Sequence, residues 1–202
     1  MTESKDNASQ KEVKVFKDLF ETIIHPGLCC SCGACVAYCE SQGFNVIKMD
    51  GYTPKYKSPD TVENCTECGL CYFICPQTDT IQDKINDYYK VEDELGHIED
   101  ILAAKTTRKA IAEVGQDGGI VTTILSYLFD KNKIDAAIVS QYDTNLNTVP
   151  MIVYEKEDLL KASGTRYSIS SQILPLKDLY HLSLEIIEKK GIFDIEQLRL
   201  AF

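Results

Sequence analysis

The sequence predicts a small α+β domain built around cysteines, followed by an incomplete α/β domain. Two observations predict this order. All nine cysteines lie between Cys29 and Cys75, so the cysteine-rich unit occupies one continuous part of the chain. After Cys75, segments with helical periodicity alternate with short β-prone runs, and this alternation is typical of an α/β unit.

Composition narrows the class of protein before any motif is considered. Of the 202 residues, 44% are hydrophobic and 26% are charged, which supports a folded core. The net charge of -10 disfavours nucleic acid as a partner, because binding to a phosphate backbone needs a basic face. No apolar run reaches the roughly 18 residues that a membrane span needs. The polar segment 1–14 is not a secretory signal, so the sequence predicts a cytoplasmic protein whose cysteines bind metal rather than form disulfides.

The first part of the chain is predicted to contain a tail, a helix and the cysteine-rich unit. Residues 2–10 predict a polar tail, and apolar residues at helical spacing predict an amphipathic helix over 11–24. Residues 43–57 predict a hairpin or an extended loop between the two halves of the cysteine region. Acidic residues within 78–101 predict a solvated helix face. The predicted division is 1–27 for the tail and helix, 28–80 for the cysteine domain, 81–105 for the acidic connection and 106–202 for the α/β domain.

The remainder of the chain alternates between predicted helices and strands. Helices are predicted over 120–129, 155–161 and 174–190, and strands over 134–139, 149–154 and 199–202. Gly191 follows Lys189 and Lys190, a combination that is typical of a helix end. The last predicted strand coincides with the end of the sequence, so the predicted sheet is incomplete.

The cysteines form two copies of one spacing, C-x2-C-x2-C-x3-C. The copies are Cys29, Cys32, Cys35 and Cys39, and then Cys65, Cys68, Cys71 and Cys75. This is the spacing of bacterial two-cluster ferredoxins, in which a tight loop supplies three thiolates to a [4Fe-4S] cubane. Gly33 and Gly69 occupy matching positions, where a small residue lets the backbone pass close to the cluster. The fold prediction is therefore an α+β ferredoxin-like two-cluster iron–sulfur domain followed by an incomplete α/β domain.

The fourth cysteine of each copy is expected to serve the cluster of the other copy, as in two-cluster ferredoxins. The predicted ligand sets are Cys29, Cys32, Cys35 and Cys75 for one cluster, and Cys65, Cys68, Cys71 and Cys39 for the other. Two features depart from a compact ferredoxin. Glu40 follows the fourth cysteine of the first copy, where proline is usual, and the spacer between Cys39 and Cys65 is long. Zinc is the alternative metal. However, zinc sites favour two C-x2-C pairs that build one tetrahedron, so the iron–sulfur interpretation is preferred.

Four further residues have less specific interpretations. Cys30 does not fit the spacing, and it is predicted to be a small buried side chain rather than a regulatory or alternate ligand. His25, His97 and His181 each stand alone in the sequence. They are predicted to be structural or solvated.

Two segments of the second region are candidate anion sites. Gly118 and Gly119 precede a predicted helix, whose first backbone N–H groups suit a phosphate or pyrophosphate. The alternative is an ordinary helix start with Asp117 as its cap. The second segment runs from Ser163 to Ser168 and contains Arg166, which suits a phosphate or carboxylate. The alternative is a surface loop with a solvated arginine.

Taken in order, these segments resemble the family of coenzyme F420 hydrogenase/dehydrogenase beta subunits. The resemblance rests on the two cysteine copies, Gln-Asp-Gly-Gly-Ile-Val-Thr at 116–122, Ile-Asp-Ala-Ala-Ile-Val at 134–139 and Ser-Gly-Thr-Arg-Tyr-Ser at 163–168. It implies an iron–sulfur flavoprotein that contains FAD and passes electrons between its clusters and coenzyme F420. It also implies a flavin-binding role for six residues: Gly118, Gly119, Thr122, Ser163, Thr165 and Arg166.

The implied activity is that of an F420-dependent oxidoreductase. A flavin accepts a hydride and releases single electrons, so it connects a hydride carrier to clusters that take one electron each. No side-chain acid or base is required, and the implied partners are other subunits of a hydrogenase or dehydrogenase complex.

The resemblance also implies longer relatives, so the chain is expected to be C-terminally truncated, either as a fragment or as a short paralogue. FAD affinity is therefore expected to be weak or absent in this chain alone. The alternatives are a ferredoxin-type electron carrier without flavin chemistry and a zinc-stabilised interaction module.

Overall fold

The computed structural model describes residues 13–91, 96, 98–178 and 200–201. Several predictions from the sequence therefore lie outside the described residues. They are the polar tail, the first two residues of the predicted helix 11–24, most of the helix predicted over 174–190, His97 and His181.

The predicted first helix is present but begins later and changes type along its length. Helix α1 spans Phe16–Leu19 and continues as a π-helical turn over Phe20–Ile24. The backbone N–H of Val15 donates to the Asp18 carboxylate at 2.7 Å, which satisfies one donor at the helix start. Of the predicted apolar face, Phe16, Ile23 and Ile24 are buried, whereas Val13 and Phe20 are exposed.

Each cysteine copy leads into a short helix, and a hairpin lies between the copies. Helix α2 spans Ala34–Ser41 and α3 spans Leu70–Phe73. Strands β1 (Ile47–Asp50) and β2 (Thr53–Tyr56) pair antiparallel, which decides the hairpin-or-loop prediction for 43–57 in favour of the hairpin. A 3-10 helix over Pro59–Asn64 then leads back to the second copy.

The acidic connection begins with an exposed helix. Helix α4 spans Asp79–Tyr89 and contains no buried residue. This agrees with the solvated helix face that the acidic composition predicts, because charged side chains remain in water unless they are paired.

The second region is a small mixed sheet with helices before it. Helices α5 (Lys109–Val114) and α6 (Ile120–Asp130) precede strands β3 (Ala136–Tyr142) and β4 (Thr148–Val153). Strand β3 pairs antiparallel with β4 and parallel with β5 (Leu200–Ala201), which gives the strand order β4-β3-β5. The segment predicted as a helix over 155–161 is a 3-10 helix over Lys156–Leu160.

Two separate apolar cores correspond to the two regions. The first lies beneath α1 and the hairpin, and includes Phe16, Leu19, Val36 and Ile47. The second lies between α6 and the sheet, and is formed by Leu125, Ile134, Ala137, Val153 and Leu159. The buried residues of each core come from one region, and the partly buried Leu174 of the second region packs against the first core.

Two phenylalanines of the first helix provide a stability test. Phe16 is 1% exposed and its ring meets the Tyr56 ring edge-on at 4.9 Å, whereas Phe20 is 37% exposed. We expect Phe16→Ala to lower the free energy of unfolding by about 3–5 kcal/mol, because it removes a buried aromatic ring from the first core. Phe20→Ala is the matched control and should cost clearly less. Anaerobic urea unfolding followed by circular dichroism measures both, and equal losses would contradict this description of the first core.

Candidate metal centres and cofactor pocket

The cysteines surround two separate cavities. Cavity I is lined by Cys29, Cys30, Cys32, Cys35 and Cys75. Cavity II is lined by Cys39, Cys65, Cys68 and Cys71. The eight cysteines that fit the spacing are therefore divided between the cavities in the same two sets as in the crossed ligand prediction.

Short helices explain how each copy reaches both cavities. Helix α2 contains Cys35 and Cys39, which are four residues apart and line different cavities. In the second copy, Cys71 lies within α3 and lines cavity II, whereas Cys75 follows the helix and lines cavity I.

The two cysteine loops have the same backbone pattern. The residue before the second cysteine is left-handed in both loops, with φ of 58° at Ser31 and 52° at Glu67. The residue after it is a glycine that is also left-handed, with φ of 82° at Gly33 and 73° at Gly69. Because left-handed residues turn the chain sharply, each loop curves around its own cavity. Gly33 and Gly69 are also the residues from which α2 and α3 begin.

The surroundings of three cavity cysteines disfavour their thiolate forms. Burial raises the pKa of Cys32 to about 11 and that of Cys71 to about 12. Burial, together with the neighbouring cysteines, also raises the pKa of Cys35 well above its ordinary value. Thiolates at these positions are therefore unfavourable without metal, and metal binding would release their protons.

Each cavity has enough thiols to ligate one cluster. A cubane accepts four thiolates at separate corners, and each cavity is lined by at least four cysteines. Within the described residues, no group of three His, Cys, Asp or Glu side chains is placed to hold a single metal ion.

A larger pocket of about 430 Å³ lies in the second region. It is bounded by the start of α6, the middle of β3 and the polar loop 162–166. Five of the six predicted cofactor residues line it: Gly119, Thr122, Ser163, Thr165 and Arg166. Its volume is within the range of small-molecule sites.

Gly118 is the one predicted cofactor residue that does not line the pocket. Its carbonyl oxygen accepts a hydrogen bond from the Thr106 N–H at 2.8 Å. A Cβ on Gly118 would lie 3.1 Å from the Ala104 carbonyl oxygen. Gly118 therefore supports the loop before α5, because only a residue without a side chain fits this left-handed position.

The start of α6 presents backbone N–H groups to the pocket. Gly119 is the N-cap residue, so the alternative in which Asp117 caps the helix is wrong. Asp117 instead accepts from the Thr165 hydroxyl at 3.3 Å, and the Gln116 side-chain oxygen accepts from the Thr165 N–H at 2.6 Å. Ile120, Val121 and Thr122 form the first turn and line the pocket. The unpaired amides and dipole of a helix start favour an anion.

Arg166 is held against the pocket rather than extended into solvent. Its guanidinium lies 4.5 Å from the centre of the Tyr142 ring, and both terminal nitrogens donate to the Ser163 carbonyl oxygen at 3.3 Å. Its Nε is buried and has no hydrogen-bond partner. The alternative of a solvated surface arginine is therefore wrong. A buried donor without a partner is costly, and an anionic ligand would satisfy it.

Two family models match the chain in the order that the motifs predict. Residues 10–81 match the model described as a 4Fe-4S dicluster domain. Residues 101–177 match the model described as Coenzyme F420 hydrogenase/dehydrogenase, beta subunit N-term. The predicted resemblance to the family of F420 hydrogenase/dehydrogenase beta subunits is confirmed. Both metal cavities lie within the dicluster match, and the pocket lies within the beta-subunit match.

Curated relatives in this family are longer than this chain. The Coenzyme F420-dependent sulfite reductase of Methanocaldococcus jannaschii is 30% identical, over 89% of this chain and 24% of the relative. An F(420)H(2) dehydrogenase subunit of Methanosarcina mazei is 26% identical, over 78% of this chain and 44% of the relative. The beta subunit of the Coenzyme F420 hydrogenase of Methanosarcina barkeri is 40% identical, over 42% of this chain and 29% of the relative. The chain thus spans about a quarter to a half of these relatives.

A solved chain is also similar. It comes from the F420-reducing [NiFe] hydrogenase complex of Methanosarcina barkeri and is 33% identical, over 47% of this chain and 33% of that chain, with a TM-score of 0.35. In the described parts of the chain, none of the helices has the length and apolarity needed to cross a membrane.

Several pocket residues lie outside the predicted set, among them the polar residues Gln116, Ser140 and Gln172. The Ser140 hydroxyl donates to the Gln172 side-chain oxygen at 2.5 Å, and Gln172 Nε2 donates to the Ile138 carbonyl oxygen at 2.9 Å. A serine that follows the buried run of β3 was an available signal for Ser140. Gln172 is distant in sequence from any predicted site residue, and nothing in its local pattern indicated a site.

Cys30 is exposed, so its prediction as a small buried side chain is wrong. Ser31 is the buried side chain of this loop, at 6% exposure, because the backbone turns at its left-handed φ. Cys30 still lines cavity I beside the four predicted ligands. His25 is exposed, in agreement with the solvated interpretation.

Glu40 replaces the usual proline of the dicluster pattern for a physical reason. Its carboxylate lies 3.4 Å from Lys57 Nζ and 2.9 Å from Lys177 Nζ. Burial alone would raise the pKa of this carboxyl, but the hydrogen bonds and charges of Lys177 and Lys57 outweigh it and hold the pKa below its ordinary value. Glu40 thus remains ionised. Its ion pair with Lys177 connects the segment of the dicluster match to the last residue of the beta-subunit match.

Proposed function

We propose that this chain is the iron–sulfur flavoprotein part of an F420-dependent oxidoreductase, which passes electrons between two [4Fe-4S] clusters and coenzyme F420 through FAD. The observation that carries the proposal is the combination, in one chain, of two cysteine-lined cavities and a pocket bounded by a helix start and Arg166. Its partners would be other subunits of a hydrogenase or dehydrogenase complex. Relatives named for F420 support this choice of coenzyme.

The cysteines would hold the clusters in the crossed sets. Cys29, Cys32, Cys35 and Cys75 would ligate the cluster of cavity I, and Cys39, Cys65, Cys68 and Cys71 that of cavity II. All corners of both clusters would then have protein ligands, so the clusters would transfer electrons rather than bind substrate.

The pocket residues would bind the phosphates and position the ring of the flavin. The first amides of α6 would donate to a phosphate, as would the unpaired Nε of Arg166. The hydroxyls of Thr122 and Ser163 lie 3.3 Å apart, and both residues line the pocket, where they would add neutral donors for the phosphate. The apolar wall formed by Ile138 and Leu125 would exclude water from the ring. When bound, FAD would supply the exchange between a hydride and single electrons.

Anaerobic titration tests the proposal. The reconstituted chain is titrated with FAD, then mixed with reduced F420, and flavin and F420 absorbance are followed. We expect saturable FAD binding, followed by flavin bleaching as F420 is oxidised. FAD binding that never saturates, or bound FAD that reduced F420 cannot bleach, would contradict the proposal.

A ferredoxin-type electron carrier is the second candidate. All eight predicted cluster ligands lie within residues 29–75, so cluster chemistry does not require the pocket. This candidate predicts clusters that accept electrons from a chemical reductant, together with no saturable FAD binding in the same titration.

A further inference from the structure

We infer that the cluster of cavity I, and not that of cavity II, exchanges electrons directly with the occupant of the pocket. The inference rests on the proposed function, since it assigns the order of the carriers within it. One electron moves in the step: the flavin is oxidised by one electron as the cluster of cavity I is reduced by one, and no bond to the protein forms or breaks.

The connection begins at the cysteine loop of cavity I. The Ile173 backbone N–H donates to the Cys32 carbonyl oxygen at 2.9 Å. Leu174 packs against the first core and lies directly over Gly33, where an added Cβ would be 2.9 Å from Leu174 Cβ. The segment 173–174 is therefore in van der Waals and hydrogen-bond contact with the loop that supplies Cys32.

The same segment continues into the pocket wall. Gln172 immediately precedes Ile173 and lines the pocket, where it is fixed by Ser140 and by the Ile138 carbonyl oxygen. A single peptide unit thus separates a pocket side chain from a residue that is hydrogen-bonded to a cluster ligand. The pocket and cavity I share this short covalent and hydrogen-bonded connection.

Cavity II is surrounded differently. Among the residues that the structure describes, its lining falls between Phe16 and Cys71, within the first region. Its loop faces solvent at Thr66, Glu67 and Cys68, all of which are exposed. The cluster of cavity II is thus placed to exchange electrons with an external partner, which gives the order pocket, cavity I, cavity II.

An ion pair fixes the connection in place. Lys177 lies four residues after Ile173 and pairs with Glu40 at 2.9 Å, on the helix that contains Cys35 and Cys39. Charged hydrogen bonds of this length restrict the relative motion of the two elements. Glu40 is a positioning residue in this scheme, because it acts on the contact and not on the transferred electron.

Flash reduction of bound flavin tests the order. The full chain and the variants Cys35→Ser and Cys68→Ser are reconstituted, checked for iron and titrated with FAD. A flash then reduces the flavin, and the absorbance of flavin and clusters is followed. We expect Cys35→Ser to lose the fast reoxidation phase of the flavin, and Cys68→Ser to retain it. The inference is overturned if the fast phase is lost in Cys68→Ser alone, in both variants or in neither. If the full chain does not bind FAD, the proposed function is overturned instead.

A matched glycine pair tests the same order with all cysteines present. Gly33→Ala would push against Leu174 and displace the 173–174 segment. Gly69→Ala has a similar left-handed backbone, but its Cβ would meet Val13 and Lys14, away from the pocket. We expect Gly33→Ala to slow the fast phase and Gly69→Ala to leave it unchanged. The reverse pattern, or an equal effect of both, overturns the inference even if a cysteine variant fails to fold.

Discussion

Cys39→Ser is expected to damage the cluster of the second cysteine copy, although Cys39 belongs to the first copy in sequence. Cys39 lines cavity II together with Cys65, Cys68 and Cys71, because α2 carries it away from cavity I. Iron per chain should fall from about eight to about four, since one of two [4Fe-4S] clusters loses a ligand. The remaining electron paramagnetic resonance signal should match that of Cys68→Ser and differ from that of Cys75→Ser.

Two variants control this result. Cys75→Ser belongs to the second copy but lines cavity I, so it should leave the signal that Cys39→Ser removes. Cys30→Ser should retain both clusters, because Cys30 lies outside both predicted ligand sets. A Cys39→Ser protein whose signal matches that of Cys75→Ser would contradict the crossed arrangement.

Arg166→Gln is expected to weaken FAD binding roughly 10- to 100-fold, which corresponds to about 1.5–3 kcal/mol for a hydrogen bond to a charged group. The Arg166 guanidinium stacks on Tyr142, and its buried Nε has no hydrogen-bond partner. The substitution removes the only charged donor among the described pocket residues. Equilibrium titration followed by flavin fluorescence measures the affinity.

Arg108→Gln is the matched control. Arg108 pairs with Asp130 at 2.8 Å and does not line the pocket. Its loss should leave FAD affinity unchanged. An equal loss of affinity in both variants would indicate a general effect of positive charge, and no loss in Arg166→Gln would remove Arg166 from the proposed site.

The parts of the fold that were predictable are those specified by local sequence. Cysteine spacing fixes which three thiols can share a tight loop, and the two-cluster ferredoxin pattern adds the fourth, so the grouping of cysteines around the two cavities could be predicted. The hairpin between β1 and β2 was one of the two alternatives that the β-prone residues around Gly51 and Pro54 indicated. The apolar run that becomes β3 indicated a strand because consecutive apolar residues are typical of a buried strand.

The missed features depend on contacts between distant segments. Glu40 could be recognised only as a departure, because its partner Lys177 lies far along the chain. Gly118 and Gly119 were indistinguishable in sequence, yet only Gly119 faces the pocket. Cys30 was expected inside, but the backbone turn at Ser31 leaves it exposed. The association of Gln172 with Ser140 likewise exists only in the folded sheet.

Metal analysis after anaerobic reconstitution with iron and sulfide tests the central claim most directly. Two [4Fe-4S] clusters predict about eight irons per chain and a brown protein that absorbs near 400 nm. The measurement requires neither flavin nor a partner, so it isolates the assignment of cavities I and II. A colourless protein that retains zinc and almost no iron would contradict the account.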